Sequence, residues 1–196
     1  IVGSGDKIPD FLTELGFDVT LLDDKNFNSN NLSRFEVIIT GIRAYNTREH
    51  LSAPHKELVK YVESGGTLIS QYNTRSDLIT DPGVLPLKLS RDRVTDENSE
   101  VDILNSYHQV FNKPFKITKE DFNGWIQERG LYFPNEWDKS YEALLSMNDK
   151  GETPKTGSLL IAKYGKGTFV YTGLSFFREI PAGVEGAIKL FINLLY

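Results

Sequence analysis

The chain has 196 residues, a formal net charge of −5 and no cysteine. This length suits one domain with a proper core, and the composition is that of an ordinary globular protein. The acidic charge and the lack of any Lys/Arg run argue against nucleic acid or an anionic membrane as a partner. The lack of cysteine excludes disulfides, thiolate zinc sites and cysteine nucleophiles, and no apolar run is long enough for a membrane span.

The first part of the chain alternates strands and helices. Strands are predicted at residues 2–6, 17–22, 35–42 and 67–70. A helix that begins at Asp6 and another that begins near Ser52 separate them. The β-branched run at residues 37–39 is typical of a strand covered on both faces. This order predicts an α/β domain with a mainly parallel, doubly wound sheet of the flavodoxin-like or class I glutamine amidotransferase-like class.

A long insertion, about residues 74–148, interrupts this regular pattern. An insertion of that length is more often functional than idle, and it could wrap the sheet edge or cover a polar patch. Strands are then predicted at 143–147, 158–164 and 168–174, the last two as a β-hairpin, followed by a closing helix at 186–195. We expect residues 1–196 to form a single domain. Because the sequence opens at Ile1 without an initiator Met, we expect a C-terminal fragment of a longer protein.

Polar side chains follow the buried strands at their C-terminal ends, where parallel sheets place their working residues. The candidate ligand-binding residues are Arg43, Tyr45, Asn46, Gln71, Asn73, Trp125, Glu128 and Arg129. Arginine and amide groups can bind a carboxylate or sugar hydroxyls, and a ring such as Trp125 or Tyr132 can stack on a sugar face. The alternative is a structural network in which an arginine pairs with a glutamate and holds the insertion in place.

Two other motifs argue against a cofactor or metal in this chain. The glycines of residues 3–5 lack the third glycine of a dinucleotide fingerprint, and Asp6 would repel a phosphate, so a tight turn is the better interpretation. The histidines lack metal-ligand spacing and are expected at the surface. They are His50, His55 and His108.

Four segments, residues 41–47, 65–74, 125–133 and 174–184, together resemble the C-terminal domain of some bacterial PIG-L/LmbE-type deacetylases, notably in Bacteroidetes. That domain is similar in fold to the class I glutamine amidotransferases, the ThuA-like proteins and the trimerisation domain of some β-galactosidases. The resemblance implies an amidotransferase-like fold, an upstream deacetylase domain as partner and an exported protein.

The chain departs from both related enzyme families at their catalytic positions. The amidotransferase cysteine elbow is replaced by Gln71, Tyr72 and Asn73, and the late strand runs into residues 175–179 without a histidine. The His-Pro-Asp-Asp zinc motif of the deacetylases is also missing. We therefore expect a non-catalytic accessory domain that acts in carbohydrate binding or in domain assembly, with oligomer formation left open. The alternative is a stand-alone hydrolase with Glu128 as general base, in a pocket formed by strand ends and the insertion.

Overall fold

The computed structural model describes residues 6–22, 29–49 and 51–196. Its strands are β1 (Val37–Thr40), β2 (Thr67–Gln71), β3 (Leu87–Val94), β4 (Val101–Ile103), β5 (Gly130–Trp137), β6 (Glu142–Ala143), β7 (Leu145–Met147), β8 (Leu159–Tyr164) and β9 (Gly167–Thr172). Its α-helices are α1 (Ile8–Glu14), α2 (Ser29–Leu32), α3 (Ala44–Thr47), α4 (Ser52–Glu63), α5 (Phe176–Glu179) and α6 (Glu185–Asn193). Two short 3-10 helices lie at Gln109–Phe111 and Lys119–Phe122.

The central sheet has the order β1-β2-β9-β8-β6 within the described residues. The strands β1, β2 and β9 are parallel, whereas β8 runs antiparallel to β9 and β6 runs antiparallel to β8. The β8–β9 hairpin is therefore confirmed. Because β1, β2 and β9 are parallel, their C-terminal ends meet at one edge of the sheet, which is where the sequence predicts the polar patch.

Helices cover both faces of this sheet. Neighbouring strand residues alternate between faces, so Ile69 belongs to one hydrophobic core and Leu68 to the other. The first core also receives α1 and α6, through residues such as Leu12 and Leu190. The second core receives α4 through Leu58. This two-sided burial explains the apolar runs in the sequence and confirms the doubly wound arrangement.

Two strand predictions differ from the structure. Residues 17–22 form no strand, and their expected neighbour, the strand predicted at 2–6, lies outside the described residues except for Asp6. The predicted strand at 143–147 is divided between two sheets. The division falls at Leu144, whose N–H bonds to Leu159 while its carbonyl accepts from Leu104. Strand β6 consequently joins the central sheet, whereas β7 pairs with β4.

The insertion forms two small antiparallel ladders, β3–β5 and β4–β7. Its apolar side chains, such as Phe111, Phe122 and Phe133, share the first core with Phe176 and Phe191. Strand β6 extends the sheet beyond β8, so the insertion contributes to the sheet edge. Within the described residues, no helix is long and apolar enough to span a bilayer.

The contact between α6 and the insertion predicts a sharp effect of a single methyl group. A Cβ added at Gly186 would overlap the backbone of Asp121 in the second 3-10 helix. Gly186→Ala should therefore lower the free energy of unfolding by about 2 kcal/mol. Gly151→Ala is the matched control, because an added Cβ at Gly151 meets no other atom. Its only expected cost is the left-handed backbone, with φ of +84°, which destabilises an alanine by about 1 kcal/mol. Urea unfolding measures both, and a smaller loss for Gly186→Ala than for Gly151→Ala would contradict this packing.

Candidate functional site

The carboxylate of Asp6 joins three segments at the C-terminal edge of the parallel strands. Its Oδ1 accepts from the N–H of Ile8 at 2.9 Å, and its Oδ2 accepts from the N–H of Ile42 at 3.1 Å and from Nε2 of Gln71 at 2.8 Å. Burial raises the pKa of Asp6, and the three hydrogen bonds oppose that rise. The predicted ligand residue Gln71 is thus engaged in holding the strand ends together.

The amide of Asn73 likewise serves the backbone. Its Oδ1 accepts from the N–H of Tyr45 at 2.9 Å, and its Nδ2 donates to the carbonyl of Gln71 at 2.8 Å. The ring of Tyr45 is fully buried, with its hydroxyl 2.9 Å from Nδ1 of His55. Burial raises the pKa of Tyr45 and lowers that of His55. The expected surface position is therefore wrong for His55, while His50 lies outside the described residues.

Asn46 fixes the loop that follows β2. Its Nδ2 donates to the carbonyls of Thr74 and Ser76, at 3.0 and 2.8 Å, and its Oδ1 accepts from the N–H of Thr74 at 2.9 Å. With three hydrogen bonds to the backbone, the amide of Asn46 stabilises this loop.

Arg129 and Trp125 join separate parts of the insertion. The Arg129 guanidinium donates through Nε and Nη2 to the carbonyl of Ser99, at 3.1 and 2.7 Å, and through Nη1 to the carbonyl of Phe122. Trp125 is 3% exposed and donates from Nε1 to the carbonyl of Asp121 at 3.0 Å. Burial lowers the pKa of Arg129. Both side chains thus make structural contacts within the insertion, whereas the arginine–glutamate pair of the structural alternative is formed by Arg178 and Glu128.

A second buried carboxyl lies just after β9. Glu179 accepts from the N–H of Ile126 at 3.0 Å and lies 3.1 Å from the hydroxyl of Ser175. That hydroxyl is also 2.7 Å from the carbonyl oxygen of Glu128. Burial raises the pKa of Glu179. Because Ser175 and Glu179 are both fully buried, this pair positions the chain after β9 and is not placed to act as a nucleophile and base.

Aromatic and charged side chains meet where β2, β5 and the segment after β9 come together. We call them the aromatic–arginine cluster, and they are Arg43, Tyr72, Glu128, Tyr132, Phe177 and Arg178. The rings of Tyr72 and Tyr132 are nearly parallel, with centroids 6.3 Å apart and an interplanar angle of 9°. Phe177 packs on Tyr72 at 5.1 Å. Tyr132 and Phe177 are half-buried, so the cluster reaches the surface.

The charged members of the cluster differ in whether their side chains have partners. Nε of Arg178 lies 2.7 Å from Oε1 of Glu128, and the same guanidinium lies 4.9 Å from the ring centroid of Phe177. The side chain of Arg43 is exposed, while its N–H donates to the carbonyl of Tyr72 at 2.8 Å. Burial raises the pKa of Tyr72, whereas the positive charges of Arg43 and Arg178 act to lower it.

Backbone strain is concentrated at this cluster. Arg43, Gln127 and Tyr132 have φ values of 54°, 63° and 51°. Asp77 is the only other non-glycine residue with positive φ in the described part of the chain. Each left-handed residue costs about 1–2 kcal/mol. Such strain is typical of sites where the surrounding structure holds a side chain for a purpose.

A cavity of about 910 Å³ is lined by residues of β1 and of the 6–22 segment and includes no member of the cluster. It borders residues 6–22, which adjoin both the N-terminal segment and the 23–28 segment outside the described residues. We therefore assign no site to it. In the described ranges, no group of three or more His, Asp or Glu residues could hold a metal ion.

Solved structures identify the architecture around the cluster. A ThuA-like protein from Bacteroides uniformis superposes with a TM-score of 0.60, at 16% identity, over 95% of this chain and 80% of its own. The fold is ThuA-like. The cytoplasmic protein STM1381 of Salmonella typhimurium LT2 gives 0.62 at 14% identity, over 98% and 86% of the two chains. The mmIFT52 N-terminal domain gives 0.61 at 15%, over 100% and 92%.

At sequence identities of 14–16%, these structural similarities establish the fold alone. They confirm the predicted class, an α/β domain of the ThuA-like, class I glutamine amidotransferase-like type with a largely parallel central sheet. They show no connection to PIG-L/LmbE-type deacetylases. No protein-family model and no curated protein sequence matches the chain.

In this ThuA-like fold the predicted site residues are divided between two roles. The structure brings Arg43 and Glu128 to the cluster, together with Tyr132, the alternative stacking ring. The others make buried or backbone-directed contacts at the same edge, and they are Tyr45, Asn46, Gln71, Asn73, Trp125 and Arg129. The Glu128 carboxylate is paired with Arg178 through Oε1, and its role as a general base stays a prediction.

Three members of the cluster were missed by sequence reasoning. Tyr72 lies between Gln71 and Asn73, and alternation along an extended segment directs it away from their network. Phe177 and Arg178 follow β9 as Arg43 follows β1, and the strand-end rule predicts a polar patch there without singling out these two side chains. The pairing of Arg178 with Glu128, 50 positions apart, has no local signal in the sequence.

Proposed function

We propose that this chain is a non-catalytic, carbohydrate-binding accessory domain of a larger PIG-L/LmbE-type N-acetyl-sugar deacetylase. The observation that carries the proposal is the aromatic–arginine cluster, which combines ring faces with charged hydrogen-bonding groups at the C-terminal edge of the parallel strands. The resemblance of residues 41–47, 65–74, 125–133 and 174–184 to the deacetylase-associated domain supports the choice of parent enzyme.

The chemistry of the cluster suits a sugar. The half-buried ring of Tyr132 offers an apolar face for the C–H groups of a pyranose. The guanidinium of Arg43 supplies charged N–H donors for hydroxyl or carboxylate oxygens. The carboxylate of Glu128 can accept from sugar hydroxyls through the oxygen that Arg178 does not engage.

The surrounding network preorganises these groups. Asp6 and Asn73 anchor the N–H groups of Ile42 and Tyr45, on either side of Arg43. The buried hydroxyl of Ser175 holds the carbonyl of Glu128. Side chains presented from a fixed backbone lose less entropy on binding, which favours affinity for a small polar ligand.

The remaining parts of the proposal concern the parent protein. The partner is the upstream deacetylase domain of the same polypeptide, and the zinc-dependent hydrolysis belongs to that domain. The domain described here holds the carbohydrate near it, or contributes to assembly. Export follows from the same family resemblance.

The test is isothermal titration calorimetry of this chain with N-acetylated, free amino, neutral and acidic sugars. We expect one sugar class to bind, and Arg43→Ala to weaken it by about 10-fold or more, because a charged hydrogen bond contributes about 1.5–3 kcal/mol. Lys166→Ala is the matched control, since this exposed cation lies in the β8–β9 turn at the opposite end of β9. Equal affinities for wild type and Arg43→Ala, or no binding by any sugar, would overturn the proposed function.

A further inference from the structure

The charges of the aromatic–arginine cluster do not balance. Two guanidinium groups, of Arg43 and Arg178, and the carboxylate of Glu128 act electrostatically on Tyr72. Arg178 and Glu128 neutralise one another at 2.7 Å. Arg43 has no side-chain hydrogen bond or ion pair with any residue in the described part of the chain. The cluster therefore carries one surplus positive charge on a protein whose formal net charge is −5.

The other carboxyl groups at this edge do not compete for Arg43. Asp6 is 8% exposed and accepts from two backbone N–H groups and from Gln71. Glu179 is fully buried and accepts from the N–H of Ile126. Both carboxyl groups are buried and hydrogen-bonded to other groups. The guanidinium of Arg43 is therefore accessible to an anion from solvent.

The backbone is built to present this guanidinium. Arg43 has a left-handed conformation, with φ of 54° and ψ of 18°. Its N–H is fixed by the carbonyl of Tyr72, and its carbonyl accepts from the N–H and the hydroxyl of Thr47, at 3.1 and 3.0 Å. A strained backbone whose N–H and carbonyl are both hydrogen-bonded, and whose side chain is exposed, is typical of a residue that contacts a ligand.

We propose that the aromatic–arginine cluster selects a sugar that carries a carboxylate, such as a hexuronic acid. This inference rests on the proposed function and names the ligand class for the same site. The carboxylate takes the planar, two-pronged hydrogen bonds of the Arg43 guanidinium. The pyranose ring lies against the exposed side of Tyr132, and its hydroxyls donate to Glu128.

The test compares matched pairs that differ only in the carboxylate, glucuronic acid with glucose and galacturonic acid with galactose. Calorimetry should show that the wild-type chain prefers the acid of one pair by about 10-fold or more. That preference should weaken as ionic strength rises. Arg43→Ala should remove the preference, and Arg43→Lys should retain only part of it, because an ammonium group lacks the planar fork. Lys166→Ala should keep the wild-type preference.

The outcomes separate this inference from the proposed function. Neutral sugars bound as tightly as their acids, with both weakened by Arg43→Ala, would overturn the acidic-sugar assignment and leave the proposed carbohydrate-binding function standing. A preference for the acid that survives Arg43→Ala would overturn the assignment of the sugar carboxylate to this cluster. No binding by either member of either pair, nor by the amino sugars, would overturn the proposed function and this inference with it.

Discussion

Asp6→Ala is expected to lower the free energy of unfolding by about 4 kcal/mol, since each buried donor left without a partner costs about 1–3 kcal/mol. The Asp6 carboxylate accepts from the N–H groups of Ile8 and Ile42 and from the Gln71 amide, and it is 8% exposed. Alanine leaves all three donors unsatisfied at the start of α1 and at the ends of β1 and β2. Urea unfolding followed by tryptophan fluorescence measures the loss.

Two variants make the Asp6 result specific. Asp10→Ala removes an exposed aspartate from the first turn of α1. Its partner Lys7 lies 3.6 Å away in solvent, so the change should alter stability by less than about 1 kcal/mol. Asp6→Asn preserves the size of the side chain but replaces one acceptor by a donor, and its loss should lie between those of the two alanine variants. If Asp6→Ala were as mild as Asp10→Ala, the strand ends would not depend on this carboxylate.

Arg129→Ala is expected to lower the free energy of unfolding by about 3 kcal/mol, because a buried guanidinium and its packing are lost together. The change leaves the carbonyls of Ser99 and Phe122 without their donor and removes the cation 5.9 Å from the Trp125 ring centroid. Because these contacts join separate parts of the insertion, the insertion should also become more accessible to proteases.

Arg93→Ala is the control for Arg129, since Arg93 is exposed on β3 and its loss should stay within about 0.5 kcal/mol. Arg129→Lys should recover little stability, because an ammonium group cannot reproduce the two-nitrogen contact with the Ser99 carbonyl. Equal stabilities of Arg129→Ala and Arg93→Ala, with unchanged proteolysis, would show that the insertion is held by other contacts.

Several helices and strands could be predicted because short sequence patterns indicate which of their faces are buried. The β-branched run of β1, the Gly65-Gly66 break before β2 and the apolar stripe of α6 each indicate one structure. Residues 17–22 have a comparable apolar pattern, yet they form no strand in the described structure. The division at Leu144 could not be predicted either, because it depends on hydrogen bonds to Leu104 and Leu159. An apolar pattern does not indicate which distant strand a segment pairs with.

The location of the candidate site could be predicted, but the role of each side chain there could not. The strand-end rule predicts the edge of the sheet at which the aromatic–arginine cluster lies. It does not distinguish Asn73, which turns inward to the N–H of Tyr45, from Tyr72 beside it, which packs in the aromatic–arginine cluster. Distinguishing them requires the positions of loops distant in sequence, above all the insertion that brings Glu128 and Tyr132 to this edge.

The most direct test of the central claim is an amide NMR titration of this chain with the sugar that calorimetry identifies. If the aromatic–arginine cluster binds the sugar, the largest shift changes will fall on Arg43, Tyr72, Tyr132 and Phe177 and will saturate at the calorimetric affinity. Changes confined to the residues that line the cavity beside β1, with the cluster unaffected, would contradict the account and place the ligand elsewhere.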